Sequence, residues 1–274
     1  MSAELTHLSL FSGIGGLDLA AEWAGMRTVG QCEIAEYPHA ILCKHWPDVP
    51  KWRDIRTLTK ESFYERTGMG TVDVVSGGFP CQPFSLAGKQ KGKEDDRYLW
   101  PELLRVIREL TPRWVIGENV PGILRIAAAD VVKDLEREGY NVVVFDFEAA
   151  AVGALHRRER IVFVANRQSA RMERFYREPP PVQTKRPREG QSDKSGLQIT
   201  VADGNCKELH VAVRHQNTTG VERPTIRDWW AVEPDVGRVA HGVPNRVDRL
   251  KCLGNAVVPQ QFYPIFRAIA EVEK

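Results

Sequence analysis

One cysteine, Cys81, stands between Pro80 and Pro83 in the stretch FPCQPFS, directly after the strand-forming run VDVVSGG at 72–78. Prolines fix φ on either side, so the thiol loses little entropy when it attacks a substrate. A free thiol, with a pKa of about 8.5, is only weakly ionised at neutral pH and needs activating neighbours. Candidates follow later in the chain. Glu118 lies in GENV, and Arg158 and Arg160 lie in HRRERIVFVA, each at a strand end or in the turn beside one. A nucleophile, a carboxylic acid and two guanidiniums on one rim suit attack on an electron-poor heteroaromatic ring. The thiolate adds to a ring carbon, the acid protonates or hydrogen-bonds a ring nitrogen, and arginine holds an exocyclic oxygen. The other cysteines, Cys32, Cys43, Cys206 and Cys252, read as free structural thiols. Five cysteines, widely separated and never spaced CxxC, support neither a disulfide framework nor a zinc site.

A second constellation lies nearer the N-terminus. LSLFSGIGGLDLA reads as a strand, a glycine loop and a helix start, a design that brings backbone close to a ligand beside a helix N-terminus. The loop is GxGG rather than GxGxxG, so it serves either a ligand or a tight turn. Glu33 follows at the next strand end, about twenty residues on, where a Rossmann-like site places a carboxylate for ribose hydroxyls. Asp54, in WRDI, closes the third strand end and can accept from an adenine amino group. Each carboxylate can equally be a helix cap or a solvated charge. Together with the loop they favour a nucleoside cofactor.

Both constellations need strand ends on one rim, and the chain supplies them. Strand-like runs at 6–11, TVGQCE, 72–78, 113–119, 140–147 and 160–166 alternate with helical stretches such as GLDLAAEWAG, EYPHAILCKHW, PELLRVIREL and AAADVVKDLEREG. That alternation predicts a doubly wound α/β sheet, with helices on both faces and a ligand site at the carboxyl ends of its strands. After Asn166 the pattern fails, and the segment through REPPPVQTKRPREGQ is rich in Arg, Gln, Pro and Gly. Order returns near TIRDWWAVEP and ends in a helix-like PQQFYPIFRAIAEVEK.

The net charge of +2 hides an asymmetry: residues 1–150 carry 17 Lys+Arg against 22 Asp+Glu, and residues 151–274 carry 21 against 14. A mildly acidic front and a basic back suit a catalytic half joined to one that meets a polyanion. No apolar run of about twenty residues and no signal-peptide pattern occurs, so the expected location is intracellular, in the cytoplasm, with no membrane partner.

In this order, FSGIGG, CE, RDI, GGFPCQPFS, ENV, HRRERI and RLKCLGNAVVP resemble the ordered motifs of the DNA (cytosine-5) methyltransferase family, of the bacterial and phage type. The resemblance covers roughly residues 6–166 and 245–272. It implies a Rossmann-like class I methyltransferase sheet formed by 1–166 and 245–274, with a small, mostly irregular or β target recognition domain at 167–244. The implied cofactor is S-adenosyl-L-methionine, leaving as S-adenosyl-L-homocysteine, with no metal. Phe11, Gly13, Gly15, Gly16, Glu33, Ile34, Asp54, Ile55, Gly78, Pro80 and Asn255 would form its pocket, with Glu33 on the ribose and Asp54 near the adenine. Cys81 would attack cytosine C6, Glu118 would engage N3 and the exocyclic amine, and Arg158 and Arg160 would steady the base.

The target base must then be flipped out of duplex DNA. The segment QPFSLAGKQKGKEDDRYLW reads as a mobile lid in which Lys89, Lys91 and Lys93 meet phosphates, and Gln82 or Ser85 approaches the strand left behind. Arg238 is a further candidate DNA contact, and Trp229 and Trp230 read as core. Two residues depart from the family pattern. His156 stands where glutamine is frequent, and Ile34 where an aromatic side chain often packs on adenine. The expected partners are double-stranded DNA and, within a restriction-modification pair, a cognate restriction endonuclease, the enzyme itself acting as a monomer. Alternatives are a tRNA cytosine-5 methyltransferase, against which the missing Cys-Phe-Thr triplet counts, and a non-catalytic DNA-binding relative. A dehydrogenase would want GxGxxG and no thiol between prolines.

Overall fold

The computed structural model describes residues 4–80, 98–167 and 246–274. Its strands are β1 (Thr6–Leu10), β2 (Arg27–Cys32), β3 (Lys51–Trp52), β4 (Val74–Gly78), β5 (Trp114–Asn119), β6 (Tyr140–Glu148) and β7 (Glu159–Arg167). Its helices are α1 (Gly16–Trp23), α2 (Glu36–His45), α3 (Lys60–Thr67), α4 (Trp100–Leu110), α5 (Ile123–Ile126), α6 (Ala128–Arg137), α7 (Arg246–Asn255) and α8 (Pro259–Val272). The strands form one sheet in the order β3-β2-β1-β4-β5-β7-β6. Pairing is parallel from β3 through to β5, whereas β7 runs antiparallel to both β5 and β6. Only residues 149–158 join β6 to β7, and their one regular element is a short 3-10 turn at Ala149–Val152. A parallel crossover takes a dozen or more residues, so β7 returns beside β6 as an antiparallel strand.

Side chains alternate between the faces of the strands, and the interior strands are apolar on both. Leu8, Leu10, Val75, Val115 and Phe163 pack with Phe63 of α3, Trp100, Leu103 and Ile107 of α4, and Val131 and Leu135 of α6. On the other face Val74, Ile116 and Val162 meet Leu17 and Ala21 of α1 and Phe262, Phe266 and Ile269 of α8. The last helix therefore lies beside the first, so residues from both ends of the chain build one sheet body. Strand order reverses between β1 and β4, which opens a crevice at their carboxyl ends. Among the described residues no helix is long and apolar enough to cross a membrane.

Candidate active site

The crevice begins at the glycine loop. Phe11 leaves β1 at φ 52, and Gly13 and Gly15 follow at φ 57 and 88. This left-handed turn strains Phe11 and suits glycine at the other two positions. A Cβ added at Gly13 would meet nothing within 4 Å, whereas one at Gly15 would strike the Trp46 ring and one at Gly16 would lie 2.7 Å from Val257 Cγ2. Bare backbone thus faces open space at Gly13 and is packed closed behind it. Glu33, one residue past β2, accepts from Gly13 N–H through Oε2 and from Ala35 N–H through Oε1, both at 2.8 Å. Each carboxylate oxygen keeps a free lone pair. Loop and carboxylate therefore fit a nucleoside with a diol, as S-adenosylmethionine has.

Asp54 caps the 3-10 turn Ile55–Thr57, accepting from Arg56 N–H at 2.9 Å. Arg105 of α4 fixes that turn by donating to the carbonyls of Ile55, at 2.8 Å, and Leu58, at 3.1 Å. Ile55 itself is buried in the core. Ile34 is 63% exposed, and its carbonyl accepts from Arg53 Nη2 at 2.9 Å. Arg53 and Arg105 are thus positioning residues that sequence reasoning missed, because an arginine donating to a carbonyl carries no spacing signal.

The second half of the site lies at the ends of β4, β5 and β7. Register pairs Gly78 with Glu118, and a Cβ on Gly78 would sit 2.5 Å from Glu118 Oε2. Arg160 Nε lies 2.7 Å from Glu118 Oε1, with both side chains mostly buried. The two groups therefore form a close, largely desolvated ion pair. Burial raises the Glu118 pKa above the ordinary carboxylate value, and the charges of Arg160 and Arg158 offset this only in part. When protonated, such a carboxyl group can both donate and accept. Beside it Asn119, buried, donates from Nδ2 to the Phe79 carbonyl at 3.0 Å and accepts from Val120 N–H at 3.0 Å. Phe79 packs on Trp100 with ring centroids 5.1 Å apart. The backbone leading into Pro80 is therefore held from two sides.

Arg158 takes a different position from Arg160. It sits at φ 40, and its Nη2 donates to Gly254 O at 2.7 Å and to Ala256 O. Asn255, the last residue of α7, lies between those two carbonyls, and Val257 beyond it covers Gly16. The structure thus brings Phe11, Gly13, Gly15, Gly16, Glu33, Gly78, Pro80, Glu118, Arg158, Arg160 and Asn255 to the loops and strand ends around the crevice, with Asp54 on the neighbouring turn. Cys81, Gln82, Ser85, Lys89, Lys91, Lys93 and Arg238 lie outside the described residues. Among the described residues no group of three or more His, Cys, Asp or Glu side chains is placed to hold a metal ion.

The comparisons with known proteins agree with this geometry. The family model described as C-5 cytosine-specific DNA methylase matches residues 5–224. The type II methyltransferase M.FnuDI of Fusobacterium nucleatum is 33% identical over 173 residues, covering 61% of this chain and 48% of the relative. M.PspPI of a Psychrobacter species is 34% identical over 186 residues, covering 66% and 44%. The chain spans about half the length of the curated relatives it matches. Among solved structures, an E. coli protein described as a prophage-encoded DNA modification methyltransferase superposes with a TM-score of 0.52 at 27% identity, over 60% of this chain and 47% of that one. The S. pombe Dnmt2 methyltransferase superposes at 0.50 with 26% identity, over 60% and 51%. The fold is accordingly the Rossmann-like methyltransferase fold. Because the family match runs through every strand of the sheet, from β1 past β7, the chain belongs to the C-5 cytosine-specific DNA methylase family.

Proposed function

We propose that this protein transfers a methyl group from S-adenosylmethionine to C5 of a cytosine flipped out of duplex DNA. The observation that carries the reading is the buried Glu118–Arg160 pair beside Gly78, two residues before Pro80 and three before Cys81. Phe11, the Gly13–Gly16 loop, Glu33, Asp54, Gly78 and Asn255 would hold the cofactor, which when bound supplies an electrophilic methyl group. Cys81 Sγ bonds to cytosine C6, and the ring electrons move toward C5. Glu118, biased toward its protonated form by burial, donates to N3, while Arg160 balances the charge that builds on the carboxylate and the ring. C5 would take that methyl group, whose bond to the cofactor's sulfur breaks to leave S-adenosylhomocysteine; a base then takes the C5 proton, and Sγ leaves C6 as the ring regains its double bond. C5 and C6 are inaccessible inside a stacked duplex, which is why the base must leave the helix, at a cost of a few kcal/mol.

Residues 167–244 would serve as the target recognition domain. The reading includes cytoplasmic action as a monomer, beside a cognate endonuclease where the gene belongs to a restriction-modification pair. The test is to incubate the protein with S-adenosylmethionine and mixed-sequence duplex DNA and to map 5-methylcytosine by bisulfite sequencing. Methylation in one short context, lost in Cys81→Ala although cofactor binding persists, supports the reading. Transfer to tRNA with none to DNA would replace it, and wild-type turnover in Cys81→Ala would remove the thiol from the mechanism.

A further inference from the structure

Gln261, in the first turn of α8, is fully buried and donates from Nε2 to Phe147 O and, at 3.2 Å, to Arg158 O. Two carbonyls before one nitrogen require the amide NH2 there, which fixes the side-chain orientation. Its Oε1 has no hydrogen-bond partner among the described residues. A buried acceptor without a donor costs stability, and it is set against the two hydrogen bonds from Nε2, whose loss would leave the Phe147 and Arg158 carbonyls without this donor. Joining α8 to Phe147 and Arg158 is one use of the amide, and positioning what it holds is another.

That use lies in what Arg158 does next. Its backbone is left-handed at φ 40, and its carbonyl is one of the two that Gln261 holds. Its guanidinium reaches back to the carbonyls of Gly254 and Ala256. The next residue, Val257, closes over Gly16, where an added Cβ would come within 2.7 Å of Cγ2 and 3.0 Å of the Val257 carbonyl. Two residues on from Arg158, Arg160 pairs with Glu118. The C-terminal segment and the β6–β7 connection thus grip each other in both directions, and the grip spans the glycine loop and the catalytic carboxylate.

We infer that Gln261 is a positioning residue for the cofactor pocket: it holds Arg158 in the conformation from which the guanidinium sets residues 254–257 against Gly16. The inference rests on the reading of the glycine loop as the S-adenosylmethionine site. The test uses Gln261→Met in the full chain, which keeps side-chain length and helix propensity while removing the donor. Calorimetric titration with S-adenosylmethionine is expected to show about tenfold weaker binding, and amide exchange over residues 252–258 to quicken by about the same factor. The melting temperature should fall only modestly, because the two hydrogen bonds lost from Nε2 are set against removal of the unpaired Oε1.

Arg158→Lys retains the charge but cannot bridge two carbonyls from one planar group, and should lose affinity similarly. The double variant should be no weaker than the weaker single one, because both break one connection. Unchanged affinity or unchanged exchange in Gln261→Met, with wild-type binding intact, overturns the inference alone. A wild-type protein that binds no S-adenosylmethionine overturns it together with the proposed function.

Discussion

Gly78 gives Glu118 the room it occupies. A methyl group there would lie 2.5 Å from Oε2 and 3.7 Å from Cδ, so the carboxylate must swing away and stretch its contact with Arg160. Crowding of this kind in a packed site costs about 1–3 kcal/mol. Gly78→Ala should therefore lower single-turnover methyl transfer by about tenfold or more. Weakening the arginine contact also removes the main influence holding the Glu118 pKa down. The limb of the pH–rate profile that reports protonated Glu118 should then move to higher pH. Gly77→Ala is the control, because its Cβ would press at 2.9 Å on the Leu10 carbonyl and touch no charged group. It should cost stability and leave that limb in place. If both variants shift the profile equally, backbone distortion rather than carboxylate displacement is responsible.

Two buried titratable groups tie β1 to its neighbouring elements and act against each other in acid. His7 lies between Thr28 Oγ1 at 3.2 Å and Ser76 Oγ at 2.7 Å, and burial lowers its pKa from 6.5 to about 3. Its contribution to stability is present above pH 6.5 and fades as the pH falls toward 3. Asp18 of α1 accepts from Ser9 Oγ and Gln31 Nε2, both at 2.9 Å, and burial raises its pKa from 3.8 to about 6. The folded state then holds the extra proton, so stability is present below pH 3.8 and is lost as the pH rises to 6. Between pH 4 and 6 the two slopes cancel. Asp18→Asn should expose the His7 slope: a variant more stable than wild type by about 3 kcal/mol above pH 6, the difference closing near pH 4. Denaturant titrations at unit steps of pH check this, and parallel curves for the two proteins would refute it. The same elements show what a sequence can reveal. β1, α1 and α4 were legible because apolar periodicity matched their burial and a glycine or proline marked an end. α3 was not, since only Phe63 is buried and its signals are a Thr59–Ser62 capping box and Gly68 at φ 71. α7 was hidden likewise, with only Cys252 buried. Nor do apolar runs encode strand direction, so the reversal of β7 had to come from the short connection. The ion pair of Glu118 and Arg160 was foreseeable from strand-end chemistry, whereas the carbonyl contacts of Arg158 depend on a positive φ that no residue type announces.

The whole molecule presents its charge unevenly, and in a sharper way than a basic second half. Residues 168–245 carry 12 Lys+Arg against 10 Asp+Glu, so most of the positive excess of residues 151–274 lies elsewhere. It falls on β7 and the turn before it, through Arg157, Arg158, Arg160 and Arg167, and on α7 through Arg246, Arg249 and Lys251. The first set is partly committed, because Arg157 pairs with Glu148 at 2.6 Å and Arg160 with Glu118 at 2.7 Å. Arg246, Arg249 and Lys251 are exposed, on a helix that ends at Asn255 beside the crevice. A duplex approaching the crevice would bring phosphates to that helix, and each phosphate neutralised releases counterions. Affinity for duplex DNA should consequently fall steeply with salt. Arg249→Ala should flatten the slope of log K against log salt by about one and weaken binding alike on every DNA sequence, since a phosphate contact carries no base information. Fluorescence anisotropy on two unrelated duplexes across a salt series measures both effects. A slope that stays at the wild-type value would move the phosphate-binding surface off α7, and a loss confined to one duplex would make Arg249 a base-reading residue.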